Sequence, residues 1–235
     1  MEAVATIGID NVREAPAERV DINRRAGSRM AMHTAGWPVV HVGCAALHRM
    51  TESQVVEHII GELAGGRGGW VATHNLDHLR RLKCDSHFRR TCEGAALRVA
   101  DGMPVLWANW LAGTPLPQRV AGSSLSYSLS EAAVRAGNCV LFQGGNPGTA
   151  ASAAERLAQC YPGLRVVGTM CPPVGFERNR RYMRRMLARL RSSRPDIVCV
   201  GLGSPKQEYL IDRLHRLLSC TWFLGVGISF SFVCG

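Results

Sequence analysis

The chain has 235 residues, with 28 Lys and Arg against 18 Asp and Glu, and its formal net charge is +10. Hydrophobic residues make up 46% and charged residues 20%, ordinary fractions for a globular protein that exclude a wholly disordered chain or a fibrous rod. The nine cysteines are an odd number and contain no Cys-x-x-Cys pair. The sequence therefore favours a reducing compartment over a disulfide framework.

The first 36 residues mix acidic and basic side chains and contain no apolar core, so they are not a secretory signal. We expect residues 1–36 to be a poorly ordered leader and residues 37–235 to form a single domain. No run reaches the roughly 20 apolar residues of a membrane span, and the uncharged run at 221–235 indicates a buried strand with its loop. The expected location is the cytoplasm, free or held at a membrane face.

From residue 37 onward, short apolar runs alternate with longer helical patterns. This alternation is typical of βαβ units and predicts an α/β fold, a three-layer sandwich with a mostly parallel, Rossmann-like sheet and helices on both faces. Helices are predicted near residues 51–63, 75–83, 103–112, 123–136, 148–160, 178–192 and 205–218. Strands are predicted at Val39–Val42, Trp70–Thr73, Leu97–Ala100, Cys139–Phe142, Leu164–Gly168, Ile197–Gly201 and Trp222–Val226.

Two glycine-rich turns follow predicted strands. Gly144 and Gly145 follow one strand, and Gly201 and Gly203 follow another, each turn opening a predicted helix. Glycine lets backbone N–H groups approach an anion at such a helix N-terminus. Neither turn matches the GxGxxG or the P-loop pattern, so spacing alone leaves two alternatives open, a phosphate-bearing ligand or a plain tight turn.

Two other strand ends carry polar side chains. One strand ends in Thr73, which His74 and Asn75 follow, and another is followed by Asp101. A carboxylate at this edge is a candidate general base, since it faces the same crevice as the glycine turns. Asp is also a frequent helix N-cap, and spacing alone favours the cap.

The densest basic stretch lies at residues 178–191, where one face of a predicted helix is apolar and the rest is rich in arginine. An outer helix with a solvated basic face is the first interpretation, and attachment to anionic lipid is the second. Nucleic acid is disfavoured because aromatic residues make up 6% of the chain and form no stacking platform among the arginines. His74 and His78 do not match HExxH and have no third ligand, so two ordinary histidines, on the surface or behind the site residues, are favoured over a metal site.

Four segments occur in a characteristic order. They read Val-Ala-Thr-His-Asn at 71–75; Ala-Asp-Gly-Met-Pro-Val at 100–105 with Leu-Pro-Gln-Arg-Val-Ala-Gly at 116–122; Leu-Phe-Gln-Gly-Gly-Asn-Pro-Gly at 141–148; and Asp-Ile-Val-Cys-Val-Gly-Leu-Gly-Ser-Pro-Lys-Gln-Glu at 196–208 with Gly-Val-Gly-Ile-Ser-Phe at 225–230. Each alone is a weak signal. Together they resemble the bacterial WecG/TagA/CpsF glycosyltransferase family, and the resemblance runs from about Val39 to Gly235.

The resemblance implies an inverting transferase that moves a sugar from a UDP-sugar to a polyprenyl-diphosphate-linked saccharide in exopolysaccharide, capsule or teichoic-acid-type biosynthesis. It implies no cofactor and no metal held by a DxD motif, which this chain lacks. Asp101 falls on the proposed base of the family, and Thr73 and Arg119 fall on its other catalytic positions. Arginine suits a departing diphosphate because its guanidinium binds two phosphate oxygens and stays charged.

The resemblance also assigns substrate-binding residues. Asn75 and Gln207 carry neutral donors suited to sugar hydroxyls, and the glycine turns would meet the diphosphate. Phe176 would stack on uracil, with a loop plug as the alternative. Ser231 stands where the family commonly has an acid that contacts the base, so a charge-assisted bond is lost and nucleotide preference is open.

The sequence leaves two alternative functions open and also suggests several partners. The chain stops at Gly235, whereas family members continue into an arginine-rich appendage, so a truncated, catalytically impaired nucleotide-sugar-binding or scaffold protein is the second hypothesis. A dinucleotide-dependent oxidoreductase is the third, disfavoured because no acidic residue ends a second strand at the usual distance from a glycine turn. The expected partners are a UDP-sugar, a lipid-linked acceptor and the anionic inner face of the cell membrane, with no nucleic acid; a homo-oligomer is compatible with this picture.

Overall fold

The computed structural model describes residues 36–227. The expected leader, apart from Gly36, and the predicted site residue Ser231 lie outside this range. The described part begins with an antiparallel hairpin of β1 (Val39–Val42) and β2 (Ala45–His48). The sequence predicts β1 as a strand of the mostly parallel sheet and does not predict β2. Instead the two strands form a small sheet of their own, because a two-residue turn returns the chain at once.

Six further strands form one parallel sheet. They are β3 (Gly69–His74), β4 (Leu97–Ala100), β5 (Cys139–Gly144), β6 (Arg165–Met170), β7 (Ile197–Gly201) and β8 (Trp222–Gly225). Their order across the sheet is β4-β3-β8-β7-β5-β6, and every neighbouring pair is parallel. The predicted mostly parallel, Rossmann-like sheet is confirmed.

Eight α-helices are found within residues 36–227. They are α1 (Glu52–Ala64), α2 (Leu76–Cys84), α3 (Ser86–Glu93), α4 (Met103–Leu111), α5 (Gly122–Ala136), α6 (Thr149–Cys160), α7 (Arg180–Ser193) and α8 (Lys206–His215). The sequence predicts all of them except α3. A single residue, Asp85, separates α2 from α3, and its carboxylate accepts the backbone N–H groups of His87 and Phe88 to start the new helix.

Helices cover both faces of the parallel sheet, which confirms the three-layer sandwich. Successive strand residues alternate between the two cores: Val140 and Phe142 pack on the side of α1, α5 and α6, and Leu141 packs on the side of α2, α3, α7 and α8. Helix α7 buries Met183 and Met186 in the second core and leaves its arginines outside. This is the amphipathic outer helix that the sequence predicts.

The order of the connections opens a crevice between β5 and β7. Strand β5 is followed by α6 on one face of the sheet, whereas its neighbour β7 is followed by α8 on the other face. The two loops diverge at the carboxyl ends of these strands. Such a topological switch point is where open α/β sheets bind their ligands.

Candidate active site

The carboxyl ends of the parallel strands bring the predicted polar residues and glycine turns to one edge of the sheet. Asn75 follows β3, Asp101 follows β4, Gly145 follows β5 and Gly203 lies just beyond β7. Strand β4 is three strand intervals from β7, which corresponds to about 14 Å at the usual spacing. One extended ligand can therefore contact both the aspartate and the glycine turns.

Asp101 does not cap the helix that follows it. Helix α4 has Gly102 at its N-cap and receives no side-chain cap bond. The Asp101 carboxylate instead faces the backbone N–H of Gly122, which favours its charged form; Gly122 is the first residue of α5. Its own backbone N–H donates to the carbonyl of His74 at 2.8 Å. The carboxylate thus lies at the positive end of α5, where an anion is stabilised.

The loop before α5 brings Arg119 next to Asp101. Val120 donates its N–H to the carbonyl of Ala100 at 2.8 Å, which ties this loop to the end of β4, and Arg119 is exposed. Burial raises the pKa of the Asp101 carboxyl, and the charge of Arg119 opposes that rise. A carboxyl with a raised pKa is a stronger proton acceptor than an ordinary surface aspartate.

Thr73 and Asn75 lie at the end of β3, the strand beside β4. Thr73 is buried and pairs in register with Val99. By the alternation of the strand it shares a sheet face with Val71, on the side of α5. Asn75 caps α2 by accepting the N–H of His78 at 3.0 Å. The cap occupies only the carbonyl of the Asn75 amide, so its NH₂ group keeps two donors for a ligand.

A cavity of about 260 Å³ lies at the switch point between β5 and β7. Four of the predicted residues line it: Gly145, Gly201, Gly203 and Phe176. Further lining comes from Asn146, Pro172, Pro173, Val174, Gly175, Glu177, Leu202, Lys206 and Gly227. The glycine turns bring the backbone close to the cavity, and α8 begins beside it at Lys206, an arrangement that suits a phosphate-bearing ligand.

Gly144 shapes this cavity from behind and does not line it. Its φ is +113°, and a Cβ there would lie 2.3 Å from the carbonyl oxygen of Gly201. The next residue, Gly145, donates its N–H to that oxygen at 2.6 Å. Glycine at position 144 is therefore required for the ends of β5 and β7 to approach each other.

Phe176 forms part of the opposite cavity wall. It begins a 3₁₀ turn, is buried, and packs edge-on against Tyr182 with ring centroids 5.8 Å apart. Beside it, Lys206 Nζ lies 3.7 Å from Glu177 Oε1, and both side chains line the cavity. The sequence does not assign Lys206 to the site; its position after Ser-Pro at the start of α8 is the signal that points to it.

Gln207 is buried and uses both ends of its amide within the protein. Its Oε1 accepts the N–H of Gly227 at 3.0 Å, and its Nε2 donates to Glu208 Oε1 at 2.8 Å. The amide packs on Gly225, where a Cβ would lie 2.9 Å from Nε2. Gln207 thereby holds the turn after β8 that lines the cavity; contact with a sugar hydroxyl stays a prediction.

Two buried histidines connect this amide to the Asp101 side of the edge. His78 Nε2 lies 3.8 Å from Glu208 Oε1, and the ring of His74 stands edge-on to that of His78 at 5.8 Å. Both histidines are buried, so the surface alternative is wrong, and the alternative that they support neighbouring site residues stays a prediction. Burial lowers the pKa of His74 to about 3, which keeps it neutral.

Within residues 36–227, no group of three His, Cys, Asp or Glu side chains is arranged to hold a metal ion. No helix in that part of the chain combines the length and the apolarity needed to cross a bilayer.

The sequence matches the model of the glycosyl transferase WecG/TagA/CpsF family over residues 40–235. It is 28% identical over 169 residues to an N-acetylglucosaminyldiphosphoundecaprenol N-acetyl-beta-D-mannosaminyltransferase from Bacillus spizizenii strain W23. That match covers 72% of this chain and 63% of the relative, so the chain spans less than two thirds of the curated relative's length. Because the family model covers most of the sequence, the chain belongs to the WecG/TagA/CpsF family of glycosyl transferases.

Proposed function

We propose that this protein transfers a sugar from a UDP-sugar to a saccharide carried on a polyprenyl diphosphate. The reaction is a single displacement that inverts the anomeric carbon and uses no metal ion. The name of the Bacillus relative describes transfer of N-acetylmannosamine to N-acetylglucosaminyl-diphosphoundecaprenol, and we propose a donor and an acceptor of that class here. The product would extend an exopolysaccharide, capsule or teichoic-acid-type polymer.

The observation that carries this proposal is the environment of Asp101. Its carboxylate lies at the ligand-binding edge of the sheet, on the N-terminus of α5 and next to Arg119, with a pKa raised by burial. In a single displacement the acceptor hydroxyl loses its proton as its oxygen attacks the anomeric carbon, and Asp101 takes that proton. Thr73 and Asn75, at the end of the adjacent strand, orient the sugar hydroxyls.

The glycine-lined cavity supports a nucleotide diphosphate as the leaving group. Breaking the bond to the sugar builds negative charge on the diphosphate, and fixed donors must stabilise that charge. The N-terminus of α8 and the cations Arg119 and Lys206 supply this stabilisation, and the glycines of the turns let the diphosphate approach the backbone closely. Uracil stacks against the Phe176 wall, and Ser231, beyond the described residues, contributes its hydroxyl.

The acceptor determines the proposed location. A saccharide on a polyprenyl diphosphate is anchored in the bilayer, so the enzyme acts as a peripheral protein at the cytoplasmic face of the bacterial cell membrane. The formal net charge of +10 favours attraction to anionic lipids at that face.

The direct test is transfer of radiolabel from UDP-sugars to a synthetic N-acetylglucosaminyl-diphosphopolyprenol. UDP-N-acetylmannosamine is the first donor, followed by UDP-glucose and the UDP-linked uronic acid of N-acetylmannosamine. We expect a labelled lipid product, unchanged by EDTA, whose new glycosidic bond has the inverted anomeric configuration by NMR. Full inhibition by EDTA would refute the metal-free step, and a retained configuration would refute the single displacement.

Ligand binding separates the remaining alternatives. Binding raises the apparent stability of a protein by mass action, so a thermal-shift panel of UDP, UDP-sugars and NAD reports which ligand the cavity takes. Tight UDP binding without transfer from any donor would favour a catalytically impaired binding protein. Stabilisation by NAD and not by UDP would favour an oxidoreductase.

A further inference from the structure

Helix α4 presents an apolar stripe to solvent. Met103, Trp107, Trp110 and Leu111 are exposed by 44%, 58%, 70% and 78%. They are spaced i, i+4, i+7 and i+8, so they lie on one face of the helix. Val105 is buried in the core beneath α4. The most apolar face of this helix therefore points away from the protein, the reverse of an ordinary surface helix.

The stripe belongs to a longer segment without charge. Residues 102–118 contain no Asp, Glu, Lys, Arg or His, although charged residues make up 20% of the chain. Most of the segment is exposed, including both tryptophans, Pro115 and Pro117. Exposed surface that carries large apolar side chains and no charges marks an interaction site.

The segment also borders the reacting edge of the sheet. It begins directly after Asp101 and ends directly before Arg119. Both of these flanking residues belong to the candidate active site. The polyprenyl acceptor of the proposed function has only a diphosphate and one sugar between its lipid chain and the hydroxyl that reacts. The bilayer surface must therefore come within the combined length of a diphosphate and one sugar from Asp101.

We infer that the α4 stripe is a membrane-docking surface that inserts into the interface between the lipid headgroups and the acyl chains. This inference rests on the proposed function, because the lipid-anchored acceptor is what requires a bilayer at this edge. Tryptophan is the residue enriched at that depth, where its ring contacts acyl chains and its N–H stays near the headgroups. Leu111 and Met103 insert beside the two rings.

A bilayer fits this surface better than a protein partner does. Protein interfaces surround their apolar centre with a polar rim and hydrogen bonds, whereas the exposed face here combines apolar side chains with an uncharged Pro- and Gly-containing loop. A protein lying on α4 would also cover the segment that directly follows Asp101, where a lipid-linked acceptor has to arrive. A bilayer delivers that acceptor.

A second surface offers a competing route to the membrane and therefore a matched control. A groove of about 700 Å³ between α7 and α8 is lined by Arg178, Arg180, Arg184 and Arg213, with Leu217 exposed at its rim. Arginines attract an anionic surface over a distance of about a Debye length but do not insert into it. Leu217→Gln thus removes exposed apolar surface from the basic groove and leaves α4 intact.

The test measures partition of the full chain into vesicles of equal parts phosphatidylglycerol and phosphatidylcholine. Wild-type protein should sediment with the vesicles and show a blue shift of tryptophan emission, because Trp107 and Trp110 leave water. The double variant Trp107→Gln/Trp110→Gln should bind at least about ten-fold more weakly, whereas Leu217→Gln should bind like wild type. Thermal unfolding and the UDP-induced thermal shift should be unchanged in both variants, since these side chains are exposed and outside the cavity.

Three outcomes would overturn the inference. They are no vesicle binding by the wild type, equal binding by the double variant, or loss of binding only in Leu217→Gln. A dimer in vesicle-free ultracentrifugation that the double variant dissociates, with vesicle binding retained, would assign the stripe to a second copy of the chain. None of these results depends on sugar transfer, so failure of the docking inference and failure of the proposed function are read separately.

Discussion

The side chain of Gln207 donates to Glu208 at 2.8 Å while its other end accepts the N–H of Gly227 at 3.0 Å. Because a backbone N–H can only donate, Gly227 fixes which end of the amide is the oxygen, and the NH₂ group must face Glu208. Gly227 lines the cavity. Glu208 therefore holds the cavity wall in place through Gln207.

Glu208→Ala should lower both stability and nucleotide affinity. The change leaves the buried NH₂ group of Gln207 without its acceptor, which costs about 1–3 kcal/mol of unfolding free energy, and it frees the turn at Gly227. Urea unfolding measures the first effect and UDP titration the second. Glu208→Gln keeps an acceptor oxygen and should lose less of each.

A matched control for that change lies on α5. Glu131 is exposed and pairs with Arg135 one helical turn away, so Glu131→Ala should alter the unfolding free energy by no more than about 0.5 kcal/mol. If Glu208→Ala proves as stable as Glu131→Ala, Glu208 does not hold the Gln207 amide.

Asp101→Asn should abolish transfer and preserve the fold. Loss of a general base lowers the rate by about 10²–10⁴-fold, measurable as radiolabel transfer at saturating donor. Burial raises the pKa of Asp101, so the fold disfavours the charged form and wild-type stability decreases as pH rises from the unfolded pKa through the folded one. At pH 7 the Asn variant should therefore unfold at the same or a higher temperature than wild type, and the difference should vanish below about pH 4.

Asp77 provides the control of opposite sign. Hydrogen bonds from Arg81 and Arg80 lower its pKa, so its charged form is favoured in the folded state. Asp77→Asn should give a small loss of stability at pH 7 that disappears as pH falls through the folded pKa. Transfer should stay near the wild-type rate. An Asp101→Asn variant that unfolds more easily than Asp77→Asn at pH 7 would contradict the conclusion that the fold disfavours the charged form of Asp101.

Arg119→Gln should move the acidic limb of the pH–rate profile to higher pH. The Arg119 charge lowers the pKa of Asp101 against the effect of burial, so removing that charge raises the pKa further and protonates the base at a higher pH. The dependence of kcat/KM on pH reports the base in the free enzyme. Arg119→Lys keeps the charge and should keep the limb, while losing rate because a lysine cannot hold two phosphate oxygens. An unshifted limb in Arg119→Gln would show that the two side chains do not interact.

Much of the fold can be predicted from the sequence because short apolar strand patterns alternate regularly with longer helical patterns. All six strands of the main sheet and seven of the eight described helices leave such a pattern. Strand β2 and helix α3 do not, and β1 is predicted as a strand but not as half of a hairpin. Strand β2 follows β1 after a two-residue turn, and α3 follows α2 after Asp85 alone. In neither case does a loop in the sequence separate the new element from the one before it.

Some features of the candidate site follow from local sequence, whereas others depend on tertiary contacts. Asp101, Asn75 and the glycine turns follow strands, so the sequence places them at one edge. Asp101 interacts with the first residue of α5 and does not cap α4, and this depends on the path of the chain between α4 and α5. The Gln207–Glu208–His78 contacts join α8 to α2, and no spacing within either helix predicts them.

Gly144→Ala should damage the cavity, whereas Gly61→Ala should stabilise the protein. At Gly144, φ is +113° and an added Cβ would lie 2.3 Å from the backbone oxygen of Gly201. That neighbour cannot rotate away, so we expect a loss of at least about 2 kcal/mol and weakened UDP binding as β5 and β7 separate. Gly61 lies within α1 with no atom near its Cβ position, and alanine there should add about 0.5–1 kcal/mol. Urea unfolding of both variants, with UDP titration, makes the comparison. A Gly144→Ala protein as stable as wild type, with wild-type affinity for UDP, would show that the close approach of β5 and β7 does not shape the nucleotide site.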